Sequence, residues 1–84
     1  MRYYLKCIYS EGIYDDEYIV SFNSSGRNWC FVRRKDVIVS NEREGLVRII
    51  IYSEGTQASL VGLLESHSCA TRMCIVPSCN VVKQ

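Results

Sequence analysis

The sequence predicts an all-β protein: a small, partly closed barrel or a two-sheet sandwich built from two sequence-related β-meander repeats of three to four strands each. Three observations support this prediction. The pentapeptide IYSEG occurs twice, at Ile8–Gly12 and at Ile51–Gly55. Apolar, β-prone runs lead into both copies, and period-two alternation follows the first copy. A chain of 84 residues suits one domain, residues 1–84, with a single core.

The predicted repeats cover about residues 2–40 and 46–83, and a polar linker, Asn41–Gly45, joins them. An offset of 43 residues aligns the pentapeptides, and an offset of 44 aligns the later segments. The aligned pairs are Tyr3–Cys7 with Leu46–Ile50, Cys30–Val32 with Cys74–Val76, and Asp36–Ile38 with Asn80–Val82. Because a unit of about 40 residues rarely folds alone, we expect the two copies to share one core.

The first repeat contains the clearest strand. Tyr18, Val20 and Phe22 occupy every second position and are predicted to face the core. Ser24–Asn28 is a cluster of turn-forming residues, so Trp29–Val32 is predicted to be the second strand of an antiparallel hairpin.

Turns and a short strand complete the first repeat. An exposed turn is predicted at Arg33–Asp36, and a closing strand at Val37–Val39. The repeated Ser-Glu-Gly is predicted to be a turn in which Gly12 or Gly55 takes a positive φ.

The second repeat presents a conflict at Thr56–Glu65. Taken alone, this segment has the cap and apolar spacing of an amphipathic helix. The repeat instead places Val61 and Leu63 on the buried face of a strand, and Gly62 inside a helix costs about 1 kcal/mol relative to alanine. We therefore predict a strand here. Pro77 falls at a turn position, where its missing amide proton is tolerated.

The segment Cys74–Val82, with its Val-Pro-Ser followed by an apolar strand, resembles the last turn and strand of SH3 domains. This resemblance covers nine residues and implies an SH3-like barrel. The chain lacks a Tyr-rich opening motif and an acidic loop laid out as that family needs for proline-rich peptides. The family's ligand function is therefore not transferred to this chain.

The composition and charge of the chain limit its possible functions and its cellular location. Ten Lys and Arg against nine Asp and Glu give a net charge of +1, so no overall field attracts nucleic acid or an anionic membrane. No stretch approaches the roughly 18 apolar residues of a membrane span, and the charged N-terminus is unlike a signal peptide. Five cysteines, an odd number, predict reduced thiols in the cytoplasm.

Residues that could carry chemistry are few. His67, Cys69, Cys74 and Cys79 supply zinc-type ligands but lack the paired spacing of structural zinc sites, and buried cysteines are commonly small hydrophobes. His67 is the only histidine, and the adjacent carboxylates of Asp15–Glu17 cannot converge because strand side chains alternate. The sequence predicts no catalytic site, no metal site and no cofactor.

The strongest candidate for binding combines one aromatic residue with nearby cations. These residues are Arg27, Trp29, Arg33, Arg34 and Lys35. An aromatic face with adjacent cations is how small β domains hold single-stranded nucleic acid. The alternative is that Trp29 and Phe31 belong to the core and that Arg33–Lys35 is a solvated turn.

We expect a non-catalytic module that binds another protein through Trp29 and the Arg33–Lys35 turn, as a monomer or weak homodimer. Six tyrosines and the apolar strand Arg48–Tyr52 favour an interface, because aromatic residues are enriched at protein contacts. Weak binding of single-stranded nucleic acid through the same residues is the alternative function. The identity of the partner protein does not follow from the sequence.

Overall fold

The chain folds into eight β-strands and two short 3-10 turns. The computed structural model describes residues 2–23, 27–63 and 73–84. The strands are β1 Tyr3–Glu11, β2 Glu17–Asn23, β3 Arg27–Arg33, β4 Val37–Val39, β5 Glu44–Ser53, β6 Ala58–Leu63, β7 Met73–Pro77 and β8 Val81–Lys83. The 3-10 turns are Arg34–Asp36 and Ser78–Asn80. The all-β prediction is confirmed.

All eight strands belong to one antiparallel sheet that curls strongly into a half-barrel, and not to two packed sheets. Its main strand order is β3-β2-β1-β5-β6-β7. The two shortest strands lie off this path, with β4 paired to β5 and β8 paired to β1. Each 3-10 turn therefore connects an edge strand, β3 or β7, to a short strand that pairs with a central strand of the sheet.

Two different strands share one edge of β1. β8 pairs with Tyr3–Leu5, and β2 pairs with Ile8–Glu11. Neither strand pairs with Lys6 or Cys7, although β2 itself continues to Asn23. This gap positions the cleft described below.

The core lies on the concave side of the sheet. Its fully buried side chains are Leu5, Val20, Cys30, Val47, Val61 and Val76. Tyr18 and Phe22 pack against this cluster on either side of Val20, as the period-two pattern predicts. We use "outer face" for the opposite side of the sheet.

Ala58–Leu63 is a strand, so the strand prediction is confirmed for these residues and the helical alternative is wrong. Ser59 and Val61 are buried two residues apart, which is the periodicity of a strand. Gly62 pairs with Ile50 on one side and Met73 on the other. Pairing on both edges overrides the local helical spacing.

Ser10, Glu11 and Ser53 are strand residues, so the prediction that Ser-Glu-Gly is itself the turn is wrong, and each reversal follows the glycine. The two glycines serve close packing and not a positive φ. Neither Gly12 nor Gly55 adopts the left-handed region, so that expectation is wrong. A Cβ on Gly12 would lie 2.6 Å from Glu17 Cγ, and one on Gly55 would collide with the carbonyl oxygen of Ala58. Glycine is required because the chain folds back too tightly for a side chain.

The predicted linker is shorter than expected. β5 begins at Glu44, so Glu44 and Gly45 are strand residues and only the preceding residues connect β4 to β5. In the part of the chain that the structure describes, no helix is long and apolar enough to cross a membrane.

Candidate binding site: an aromatic patch and an adjoining cleft

Trp29 lies on the outer face of β3. Its neighbour Cys30 and the next alternate residue, Val32, are buried on the core side, so alternation turns Trp29 outward. The indole is 58% exposed, and the interpretation of Trp29 as a core residue is wrong. Phe31 lies on the same face, with its ring centroid 5.6 Å from that of Trp29 in an edge-to-face arrangement.

Cross-strand pairing extends this aromatic pair into a patch. Ser21 lies opposite Trp29 and also opposite Ile8, while Ile19 lies opposite Phe31. We call Ile8, Ile19, Trp29 and Phe31 the Trp29 patch. It is an apolar area on the outer face of three adjacent strands.

The structure separates the predicted basic residues. Arg33 follows Phe31 on the outer face and is exposed, opposite Glu17 in β2. Lys35 is exposed in the first 3-10 turn. Arg27 begins β3 opposite Asn23, and its side chain lies outside the described part of the structure.

Arg34 is used inside the fold. Its guanidinium stacks 4.3 Å from the ring centroid of Tyr18 and donates to the Tyr18 hydroxyl at 3.2 Å. It also forms an ion pair with Glu11. Partial burial lowers the pKa of Arg34, but the hydrogen bond and charge of Glu11 raise it, and the net direction is upward. Arg34 is therefore a structural cation and not part of the Trp29 patch.

A cleft of about 410 Å³ opens at the gap between β2 and β8. Its lining residues are Lys6, Cys7, Ile8, Ser21, Phe22, Arg43, Glu44 and Asn80. We call it the β1 cleft. Ile8 and Ser21 connect it to the Trp29 patch. No pattern in the sequence indicated this cleft, because the cleft depends on where the pairing of two distant strands with β1 ends.

The backbone of Lys6 faces the β1 cleft. The Tyr9 N–H donates to the Arg43 carbonyl at 2.9 Å, so the backbone N–H and C=O groups of the odd-numbered residues of β1 point toward β5. Arg2 and Gln84 exchange backbone hydrogen bonds of 2.8 and 2.9 Å, so the even residues face the other edge. Lys6 is the even-numbered residue that lies between the part of β1 that pairs with β8 and the part that pairs with β2.

The charges of the β1 cleft are mainly positive. Neither Lys6 nor Arg43 has an ion-pair partner among the described residues. Glu44 is the one carboxylate in the lining, and its Oε1 accepts from the Asn41 amide at 3.4 Å. The cleft therefore presents two cations against one partly engaged anion.

Cys7 forms part of the cleft wall but is not a nucleophile. Burial raises the pKa of its thiol from 9.0 to about 12, although a backbone hydrogen bond from Val47 lowers it slightly. Its Sγ donates to the Gly45 carbonyl at 3.5 Å. Because the thiolate is the reactive form, this thiol is inert at neutral pH.

The other chemical candidates do not converge in the described residues. His67 and Cys69 lie outside them, Cys74 packs against the core, and Cys79 is exposed on the second 3-10 turn. Across residues 2–23, 27–63 and 73–84, no group of three His, Cys, Asp or Glu side chains is placed to hold a metal ion.

Scans of the chain against protein-family models, curated proteins and solved structures give no match. The geometry of the Trp29 patch and the β1 cleft is therefore the basis for a functional proposal.

Proposed function

We propose that this chain is a non-catalytic cytoplasmic module that binds a segment of another protein on the Trp29 patch. The exposure of Trp29 on a described strand, packed against Phe31 beside a cleft, is the observation that carries the proposal. Tryptophan is the residue most enriched among the contacts that dominate binding energy, and such anchors lie in or beside pockets. The free thiols Cys7 and Cys79 support a reducing compartment.

Self-association through the same patch is the second form of this proposal. Ile8 and Trp29 are exposed apolar side chains on one face, and a second copy that covers them makes a weak homodimer. Sedimentation across a concentration series measures this directly. A strictly monomeric protein removes self-association but leaves binding to another protein intact.

Nucleic-acid binding remains the alternative function, but the structure weakens its basis. Arg34 is committed to Glu11 and Tyr18, which leaves Arg33 and Lys35 as the described exposed cations of the predicted group. Electrostatic contact with phosphates is the main source of such affinity, so fewer available cations mean weaker binding.

Trp29 also supplies the readout for a binding experiment because it is the only tryptophan in the chain. A displayed library of random peptides is selected on the wild-type protein, and the selected peptides are measured by surface plasmon resonance and Trp29 fluorescence. We expect Trp29→Ala to reduce their affinity by about tenfold or more.

Met73→Ala is the matched control, since Met73 is a large exposed residue on the outer face of β7. It should retain binding. Equal binding by wild type and Trp29→Ala contradicts the proposal. If oligothymidylate binds with a steep dependence on salt while no peptide is selected, nucleic acid is the ligand instead.

We also propose that the two halves of the fold are copies of one β unit, residues 2–40 and a second copy that begins with β5. The order of three strands, a 3-10 turn and a short strand occurs in both halves. Val20 and Val61 are equivalently buried, 41 residues apart, and so are Val32 and Val76, 44 residues apart. The Arg34 N–H donates to the Asp16 carbonyl, and the Ser78 N–H donates to the Gln57 carbonyl, each at 2.9 Å. The two donors are 44 residues apart and the two acceptors are 41 apart, which are the same two offsets.

A β-bulge accounts for the offset of the repeated pentapeptide. The register of β5 against β6 shifts between Ile51 and Ser53, which inserts one extra residue. Before the bulge, burial and pairing match Leu5 with Val47, an offset of 42 residues. After it, Ser10 matches Ser53 at an offset of 43. The two Ser-Glu-Gly segments are therefore 43 residues apart both in the sequence and in their strand pairing. The two Ile-Tyr segments before them are also 43 residues apart in the sequence, but their equivalent positions in the strand pairing are 42 apart.

A circular permutant tests this repeat proposal. The ends of the described chain are adjacent, because Arg2 and Gln84 exchange backbone hydrogen bonds as the neighbours of a connection do. A short glycine-serine linker between the ends, with new termini opened between Asn41 and Arg43, should give a folded protein with the same far-ultraviolet spectrum. The control is the wild-type order of strands with a glycine-serine insertion in the same loop, which should fold. An unfolded permutant beside a folded control contradicts the proposal that the β4–β5 connection and a connection between the chain ends are equivalent.

A further inference from the structure

We propose that the β1 cleft binds an extended, acidic segment of the partner protein. This inference rests on the proposed function of the Trp29 patch and adds the chemistry of the ligand. The cleft offers three features for such a ligand: a strand edge without a neighbour in register, two cations and an apolar wall that leads to Trp29.

The first feature is the backbone of Lys6. Its N–H and C=O face the gap, and neither β2 nor β8 pairs with this residue. A strand that adds to a sheet edge gains main-chain hydrogen bonds whatever its side chains are. One extended residue of a ligand is enough to pair with Lys6, and its neighbours then run between β2 and β8.

The second feature is charge. Lys6 and Arg43 line the cleft without ion-pair partners in the described chain, and Glu44 already accepts from Asn41. Acidic side chains next to the paired residue meet both cations. Charge complementarity of this kind chooses between partners and raises the association rate. A basic ligand lacks this attraction, so the cleft selects acidic segments.

The third feature is continuity with the Trp29 patch. Phe22 and Ile8 give the cleft apolar walls, and Ser21 separates Ile8 from Trp29 across the strands. A volume of about 410 Å³ lies within the range of ligand pockets. A segment in extended conformation can therefore place acidic residues in the cleft and an apolar residue on Trp29.

The experiment follows backbone amide chemical shifts while the full chain is titrated with a capped peptide of alternating Asp and Val residues. We expect the amide of Lys6 to shift on saturation. The same peptide with Lys in place of Asp should bind about tenfold more weakly. An Asp-Val peptide methylated on its backbone nitrogens should lose most of its affinity, because it cannot donate to the Lys6 carbonyl.

Charge-reversed variants locate the site. Lys6→Glu combined with Arg43→Glu should weaken the Asp-Val peptide by about tenfold or more. Arg2→Glu, a single reversal at an exposed residue outside the lining of the cleft, should change it by less than about twofold. If the Lys6 amide does not move, or if Arg2→Glu weakens binding as much, the proposal is overturned.

Two further outcomes separate this inference from the proposed function. Library peptides that require Trp29 but ignore the Lys6 and Arg43 reversals retain the protein-binding function and overturn the acidic cleft. Oligothymidylate that shifts the Lys6 amide, when the Asp-Val peptide does not, assigns the cations to nucleic acid and also overturns it. The second result uses wild-type protein alone, so it does not depend on a variant that fails to fold.

Discussion

The two halves of the sheet are alike inside and different outside. Val20 and Val61 fill matching buried positions, as do Val32 and Val76. On the outer face, the positions of Trp29 and Phe31 in β3 are occupied by Met73 and Ile75 in β7. Buried positions are restricted by packing, whereas exposed positions are free to diverge. The residues of the proposed Trp29 patch therefore belong to the part of the sheet in which the two halves differ.

The halves also secure their 3-10 turns differently. In the first, Arg34 stacks on the ring of Tyr18, which in turn meets the ring of Tyr9 at 4.9 Å between centroids. In the second, the Ser78 hydroxyl lies 2.7 Å from that of Ser59 and donates to the Gly55 carbonyl at 2.7 Å. The same junction is held by a cation on an aromatic ring in one half and by hydroxyl hydrogen bonds in the other.

Charges placed in the shared interior should break both halves. We expect Val20→Asp and Val61→Asp each to unfold the protein, because an unpaired buried charge costs several kcal/mol and a small domain has only about 5–15 kcal/mol of stability. Circular dichroism and urea titration measure this. Ile75→Asp, at a position 57% exposed, should remain folded. A folded Val61→Asp protein contradicts a single interior shared by both halves.

The turn glycines should differ in sensitivity. Gly55→Ala forces a Cβ against the Ala58 carbonyl, which belongs to the backbone and moves only with the strand. We expect it to lower the free energy of unfolding by about 1–3 kcal/mol. Gly12→Ala should cost less, because the backbone atom that its Cβ would meet, the Glu17 carbonyl oxygen at 2.9 Å, is farther away than the Ala58 carbonyl oxygen is from a Cβ on Gly55. The reverse order in urea titrations indicates that the β1–β2 turn is the tighter one.

Cys7 should make stability depend on alkaline pH. Its pKa is raised from 9.0 to about 12 by burial, so the folded protein keeps a proton that the unfolded chain loses above pH 9. This contribution is fully present below pH 9 and is lost as the pH rises toward 12.

We therefore expect the free energy of unfolding of wild type to fall more steeply above pH 9 than that of Cys7→Val, by up to about 1.4 kcal/mol per pH unit. The two proteins are otherwise identical, so the difference isolates Cys7. Parallel pH profiles rule out a buried thiol at this position.

The smallest expected effects compare the two 3-10 turns. Ser78→Ala removes a partner of the Ser59 hydroxyl in a residue only 2% exposed, so we expect a loss of about 1–2 kcal/mol. Arg34→Ala removes a contact that is partly exposed to solvent and should therefore cost less than Ser78→Ala. Lys35→Ala, on the same turn, is the control and should have no measurable effect. A larger loss for Arg34→Ala than for Ser78→Ala reverses this comparison.

Local patterns in the sequence were sufficient for β2 but not for β6, where the local spacing favoured a helix, and not for the registers of the strands. The alternation of Tyr18, Val20 and Phe22 predicted the buried face of β2 correctly, since side chains of a strand alternate whatever its neighbours are. The bulge after Ile51 was not predictable in this way, because an extra residue becomes visible only against the partner strand. The same reason hid the start of β5 at Glu44, which depends on pairing with Ile8.

The candidate site was predicted in part. Trp29 was identified from its residue type and neighbours, but the sequence left open whether it faces the core. Arg34 was grouped with Trp29 because the two are near in sequence, and the fold instead turns Arg34 toward Tyr18 and Glu11. Lys6 and Arg43, far apart in the chain, were not connected at all.

The sequence by itself determined the all-β class and the inward side of β2, and it located a chain reversal close to each repeated glycine. These properties follow from the geometry of a few consecutive residues. Only the tertiary structure decided that the pairing of β1 with β8 and with β2 stops on either side of Lys6 and that a cleft opens there beside Trp29. The endpoints of paired strands depend on contacts between residues more than ten positions apart, and no local pattern records them.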